Sequence, residues 1–209
     1  MKKTHLIIIT AIILSFAIGI YFYPQLPDRL ASHWNAESLV DGYMTKFWGL
    51  FLMPIIALAG FLLFIALPKI DPLKENIEKF RKQYDIFIVM FILFLFYLYI
   101  LTLLFNLGFY FNMIQMLAPA FGALFYYIGI LMESAKRNWF IGIRTPWTLS
   151  SDKVWEKTHK LGAKLFKGAG ILSLGAVILP DYAIYFIMVP IMAVAAYTII
   201  YSYLEYKKQ

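Results

Sequence analysis

The sequence predicts an all-α, polytopic integral membrane protein. It reads as six transmembrane helices, both termini cytoplasmic, with an amphipathic cytoplasmic segment between helices 4 and 5. Three observations carry this. Of 209 residues, 62% are apolar and only 15% charged, against roughly 45–50% and about 25% in a soluble domain. Apolar runs recur at the length that crosses a bilayer. Lys and Arg gather almost wholly on one side of those runs. The composition excludes a cytosolic enzyme and intrinsic disorder alike, and the absence of cysteine excludes disulfides and thiolate chemistry.

A spanning helix needs about 20 mostly apolar residues. Five runs meet this: Leu6–Tyr23, Phe47–Leu67, Ile86–Phe105, Met113–Met132 and Tyr182–Leu204, none containing Asp, Glu, Lys, Arg or His. A sixth, Leu161–Leu179, reaches span length only with Lys164 and Lys167 at one end, where their stems can snorkel toward headgroups. Pro180-Asp181 makes the turn into the last span. The first run is too long for a signal-peptide core and no A-x-A-like cleavage site follows it, so it reads as a retained helix. Ala11, Ser15 and Gly19 form a small-residue stripe on it, suited to close helix packing.

Orientation follows from the basic residues. Seventeen of the 19 Lys and Arg flank one set of span ends; only Arg29 and Lys46 flank the other. The positive-inside rule then puts both termini in the cytoplasm. The net charge of +7 is explained by this topology and by anionic lipid, without nucleic acid.

Three segments outside the spans can carry specificity. The outward loop 24–46 begins with Pro24 and Pro27, which stop the first helix, and Asp41-Gly42 is a turn signal. His33, Trp34, Asn35, Glu37 and Gly42 make it the candidate ligand-binding segment; the alternative is an interfacial Trp anchor on a solvated loop. In the cytoplasmic linker 68–85, Leu73, Ile77, Phe80 and Tyr84 follow helical spacing. The third segment, 133–160, holds Arg137-Asn138-Trp139-Phe140-Ile141-Gly142-Ile143-Arg144-Thr145-Pro146-Trp147-Thr148-Leu149 and then Trp155. Pro146 drives Thr145 to an extended conformation. Ser150 or Ser151 can cap a following helix. There Val154, Trp155, Thr158, Leu161 and Leu165 share one face, with lysines on the flanks. Such a helix rests in the lipid interface before turning into the fifth span. Anchoring and docking of a cytoplasmic partner are both compatible with it.

Little chemistry is on offer. Glu156 and His159 have a Glu-x-x-His spacing, but only His5 and His33 are other histidines and both lie elsewhere, so no metal site is expected. No nucleophile motif, phosphate-binding loop or carboxylate pair appears, so neither catalytic residues nor a cofactor is assigned, and an enzyme is not expected. The spans lack the ionisable groups that ion-coupled transporters use.

The stretch from Arg137 to Leu149, followed by Trp155, resembles the SdpI family of bacterial membrane proteins. That family's Asn, Gly-x-Arg-Thr-Pro-Trp-Thr and later Trp fall on Asn138, Gly142, Arg144, Thr145, Pro146, Trp147, Thr148 and Trp155. The Tyr-Pro-x-Leu-Pro…His-Trp-Asn…Gly-Tyr-x-x-Lys stretch resembles the short N-terminal domain common in the family. The resemblance implies three parts: a two-helix unit over 1–67, a linker over 68–85, and an SdpI-like four-helix unit over 86–209. It also implies a multi-pass protein of a bacterial or archaeal plasma membrane, conferring immunity to a secreted peptide toxin and acting as a receptor that holds a cytoplasmic transcriptional repressor. The partner-binding face would then comprise Arg137, Asn138, Gly142, Arg144, Thr145, Pro146, Trp147 and Trp155. The rival reading is a small envelope transporter or lipid-handling protein that uses the cytoplasmic loop as a gate.

The orientation has a direct test. A reporter active only in the cytoplasm, fused after Gln209, should be active, and one active only outside should not. The reverse result would mean an odd number of crossings.

Overall fold

The computed structural model describes residues 2–209. In chain order they form α1 (Lys2–Phe22), a 3-10 turn (Tyr23–Gln25), β1 (Arg29–Trp34), β2 (Val40–Thr45), α2 (Lys46–Ile70), α3 (Lys74–Glu78) and α4 (Arg81–Asn106). Then follow α5 (Met113–Ser134), α6 (Pro146–Ser150), α7 (Asp152–Ser173), α8 (Gly175–Ile178), a 3-10 turn (Pro180–Tyr182) and α9 (Ala183–Lys207). Six segments are long and apolar enough to span a bilayer: α1, α2, α4, α5, α7 continued by α8, and α9. The protein is a multi-pass membrane helical bundle.

The helices pack as two groups joined by the α4–α5 contact: α1 with α2 and α4, and α5 with α7 and α9. In the first group Ile8, Ile12, Phe61, Ile88 and Ile92 form an apolar cluster that continues into Ile77, Phe80 and Tyr84, and onward to Ile141 and Trp155. The expected stripe on α1 is buried at Ala11, Ser15 and Gly19. The linker spacing also holds, with α3 placing Ile77 inward and Phe80 and Tyr84 following it into the core.

Helices α5 and α7 pack with their backbones close together. A Cβ on Gly170 would stand 2.6 Å from the Gly122 carbonyl oxygen, and one on Gly129 would stand 2.6 Å from that of Ala163. Without water to drive association, membrane helices hold together through such close contact between small residues. A Lys167–Glu133 ion pair at 2.7 Å adds to the same interface, so this lysine is held between helices where the sequence suggested a free stem reaching for headgroups.

Three expectations are corrected. The loop 24–46 is folded, with β1 and β2 paired as an antiparallel hairpin. Asp41 and Gly42 lie within β2, not in the turn; the chain reverses over 35–39, where the Asn35 carbonyl oxygen accepts from Ser38, Asn35 Oδ1 accepts from the Glu37 and Leu39 amides, and Ser38 adopts a φ of 63°. Finally, the amphipathic helix does not lie in the interface and then turn. Residues 152–173 are one helix, and its Val154–Trp155–Thr158 stripe, extended by His159, Gly162 and Ala163, is packed against protein. The sequence pattern was that of a helix buried on one face, and the partner burying it is the bundle where lipid was expected.

Gly170→Val should lower the melting temperature of the detergent-solubilised protein, at a cost of about 1–3 kcal/mol for overpacking. Gly168→Val two residues away, where a Cβ meets nothing within 4 Å, should change stability by less than about 0.5 kcal/mol.

Candidate functional site

The chain between α5 and α6 is neither helix nor strand, so its polar backbone groups need partners from side chains. Asn138, fully buried, supplies four: Oδ1 accepts from the Phe140 and Ile141 amides at 3.0 and 2.6 Å, and Nδ2 donates to the Lys136 and Ile141 carbonyls at 2.9 Å each. Asp71, buried at the end of α2, accepts the Trp139 amide at 2.9 Å through one oxygen and the Leu73 amide through the other. His159 Nε2 accepts the Ile143 amide at 3.0 Å, so the ring proton sits on Nδ1 and is donated to the Trp155 carbonyl at 2.9 Å. Gly142 makes this close approach feasible: its φ is +112°, and a Cβ there would lie 2.3 Å from His159 Nε2.

The remaining motif residues extend the same framework. Trp155 stacks on His159 with 3.9 Å between ring centroids and donates its indole N–H to the Ala135 carbonyl at 2.9 Å. Thr145, extended as expected, caps α6 in a capping box with Thr148, and its hydroxyl meets Ser202 of α9 at 3.0 Å. Pro146 opens α6, where its missing N–H costs nothing. Ser151 caps α7. Arg137 donates to Asp152 at 2.7 Å and to the Leu149 carbonyl. Glu205 on α9 takes Lys157 from α7 and Lys208 from just past the end of its own helix. That carboxylate accepts a hydrogen bond from the Lys208 ammonium just past the span and holds it above the ordinary lysine value.

Apart from the Pro146 ring, two motif side chains are left exposed. Trp139 is half exposed, and the exposed Arg144 donates to the Trp139 carbonyl at 2.9 Å. Among the described residues Arg144 has no carboxylate partner. Trp147 packs on Tyr203 of α9, with 5.0 Å between ring centroids. The motif thus divides into a framework (Asn138, Gly142, Thr145, Pro146, Thr148, Trp155 and Arg137) and a presented guanidinium beside an exposed indole.

At the opposite end of the bundle, the hairpin sits over α2 and α4. The Asn106 amide at the end of α4 clasps Ala31 on both sides, accepting its N–H at 2.8 Å and donating to its C=O at 3.0 Å. Of the five residues singled out there, Asn35 builds the turn and Gly42 lies opposite His33, where a Cβ would meet the His33 Cβ at 2.8 Å. Trp34 sets its ring edge-to-face on Phe105 at 5.2 Å, and its indole N–H is buried without a partner. His33 is exposed and bonded to Asp41, and Glu37 is exposed. Among the described residues no three His, Asp or Glu side chains converge as metal ligands.

Residues 134–202, the span from the end of α5 through the motif into α9, match the SdpI/YfhL protein family. Residues 10–58, which include the hairpin, match a domain of unknown function, DUF1648. The immunity protein SdpI of Bacillus subtilis (strain 168) is 27% identical over 207 residues, covering 99% of this chain and 97% of that protein. No solved structure matches significantly. The segment that matches the SdpI/YfhL family begins where α5 gives way to the Asn138 loop and includes Ser202, so it contains most of the framework but not Asp71.

Asp71 and His159 were missed as framework residues. Asp71-Pro72 carried a readable turn signal. His159, four residues after Trp155, could have been placed on the buried face from spacing alone.

Framework and presented residues should separate on mutation. Asn138→Ala should cost about 3 kcal/mol of stability, since it strips partners from buried amides, and Gly142→Ala should also destabilise. Arg144→Ala should stay within about 0.5 kcal/mol of the parent. Thermal unfolding in detergent measures all three.

Proposed function

We propose that this chain is a membrane immunity protein that protects its cell against a secreted, membrane-active peptide, acting by binding and not by catalysis. The observation that carries the reading is the end-to-end similarity to an immunity protein, covering nearly the whole of both chains. Support comes from the two ends of the bundle. One presents His33, Glu37 and the face of Trp34 on a folded hairpin; the other presents Arg144 and Trp139 on a rigid framework. The Lys and Arg bias orients the hairpin outward, for the peptide, and puts both termini and the motif in the cytoplasm, for a repressor protein held at the membrane. In this reading residues 1–67 carry the receptor hairpin, 68–85 link, and 86–209 carry the signalling face.

Arg144 is the residue on which the second half rests. A guanidinium can grip a partner carboxylate through two parallel bonds, and Lys cannot. An anchor to headgroups would accept either.

Expression in Bacillus subtilis cells lacking their own immunity protein SdpI should restore growth in the presence of the toxic peptide. His33→Ala with Trp34→Ala should weaken protection about tenfold or more, a loss of at least 1.4 kcal/mol of binding. Arg144→Lys and Trp147→Ala should abolish the function of the motif face with insertion and abundance unchanged. Undiminished protection in the hairpin variant would remove the hairpin from the binding site, and a fully active Arg144→Lys protein would reduce the motif to an anchor.

A further inference from the structure

A cleft of about 550 Å³ opens at the motif end, between α3, the end of α5 and the start of α7. Its walls carry seven charged side chains, and three of these are neutralised by ion pairs. Arg137 is paired with Asp152, and Glu133 with Lys167, which stands outside the cleft. That leaves Lys79, Lys136 and Lys160 against the one free carboxylate of Glu156. Lys79 donates to the side-chain oxygen of Asn76. Lys136 and Lys160 have no carboxylate partner among the described residues. Trp155 and His159 line the same cleft, and all their ring nitrogens are already committed to the framework. The polar contacts open to a ligand are therefore three ammonium groups from separate segments and the single Glu156 carboxylate, an excess of positive charge where the helices end.

A second cavity of about 270 Å³ shares Met132 and Ala135 with this cleft. Its lining includes Phe64, Phe87 and Ile128, from α2, α4 and α5. Its one polar side chain, Tyr84, donates its hydroxyl to the Phe64 carbonyl at 2.9 Å. A cationic chamber thus adjoins an apolar one at the level of the membrane surface.

We propose that this pair of chambers binds one anionic phospholipid, its phosphate headgroup between Lys136 and Lys160 and part of an acyl chain against Phe64, Phe87 and Ile128. Basic pockets between helices at the membrane surface are suited to anionic headgroups. A neutral lipid would leave the ammonium excess uncompensated, and a free phosphate would leave the apolar chamber empty. The bound lipid would touch both helix groups and stabilise the fold by mass action. The proposal is independent of the immunity reading.

The test is thermal unfolding of the full-length protein in detergent, titrated with phosphatidylglycerol, phosphatidylcholine or inorganic phosphate. Phosphatidylglycerol should raise the melting temperature by about 5 °C near saturation, phosphatidylcholine by much less, and phosphate not at all. Lys136→Gln with Lys160→Gln should remove at least half of the phosphatidylglycerol shift. Glu156→Gln should lower the phosphatidylglycerol concentration needed for half the shift. Lys207→Gln, away from the cleft, should leave the titration unchanged and so separates this site from general surface charge. An equal response to phosphatidylcholine, or an undiminished response in the double variant, would overturn the site. An equal shift with inorganic phosphate would overturn the lipid assignment, as would a Glu156→Gln protein that binds no more tightly.

Discussion

Between α5 and α6 the backbone leaves helical structure, and every buried amide there must find an acceptor. Side chains provide them one by one: Asp71 for Trp139, Asn138 for Phe140 and Ile141, His159 for Ile143, and Thr148 for Thr145. A buried amide left unpaired costs on the order of 1–3 kcal/mol. The loop therefore has one conformation, and the identities of its residues follow from that need. Asp71 has a further effect, because it belongs to the turn after α2. Through it the first group of helices holds the loop that the second group carries.

This explains why a segment rich in polar and aromatic residues presents so little of itself. Most of its side chains are spent on the backbone around them, and what emerges is a guanidinium and an indole in fixed relation. The hairpin at the far end follows the same economy. Asn35 and Gly42 shape it, Asn106 fixes it to α4, and the side chains of His33 and Glu37 stand out. Each end of the bundle thus offers a small rigid feature, suited to recognition without rearrangement.

The six spans were legible because bilayer thickness sets a length and lipid sets a composition, and both are local properties of the chain. The small-residue stripe through Ala11, Ser15 and Gly19 was legible for the same reason. The hairpin was not, since Arg29–Trp34 is short and its burial does not alternate, with Leu30 and Ala31 both buried beside an irregularity in the pairing, and Asp41-Gly42 imitated a turn while lying in a strand. Nor could the sequence tell whether the face of Trp155 and Thr158 met lipid or protein, because both are apolar partners. At the motif, composition marked the place. It could not divide framework from presented residues, since that division depends on partners far away in sequence, Asp71 before the loop and Ser202 after it.

Those later partners impose an order on biogenesis. Thr145 is bonded to Ser202, Lys157 to Glu205, and Ser151 exchanges hydrogen bonds with Gln209. Helices enter the membrane in chain order as synthesis proceeds, so the motif loop is made well before α9 arrives to complete its surroundings. Until then Thr145 lacks its outer partner, and Trp147 lacks the ring of Tyr203 against which it rests. A nascent chain with five helices inserted would show the right residues on the right side of the membrane and still lack the finished surface. Helix α9 acts as a keystone, and the motif surface is finished only once it is in place.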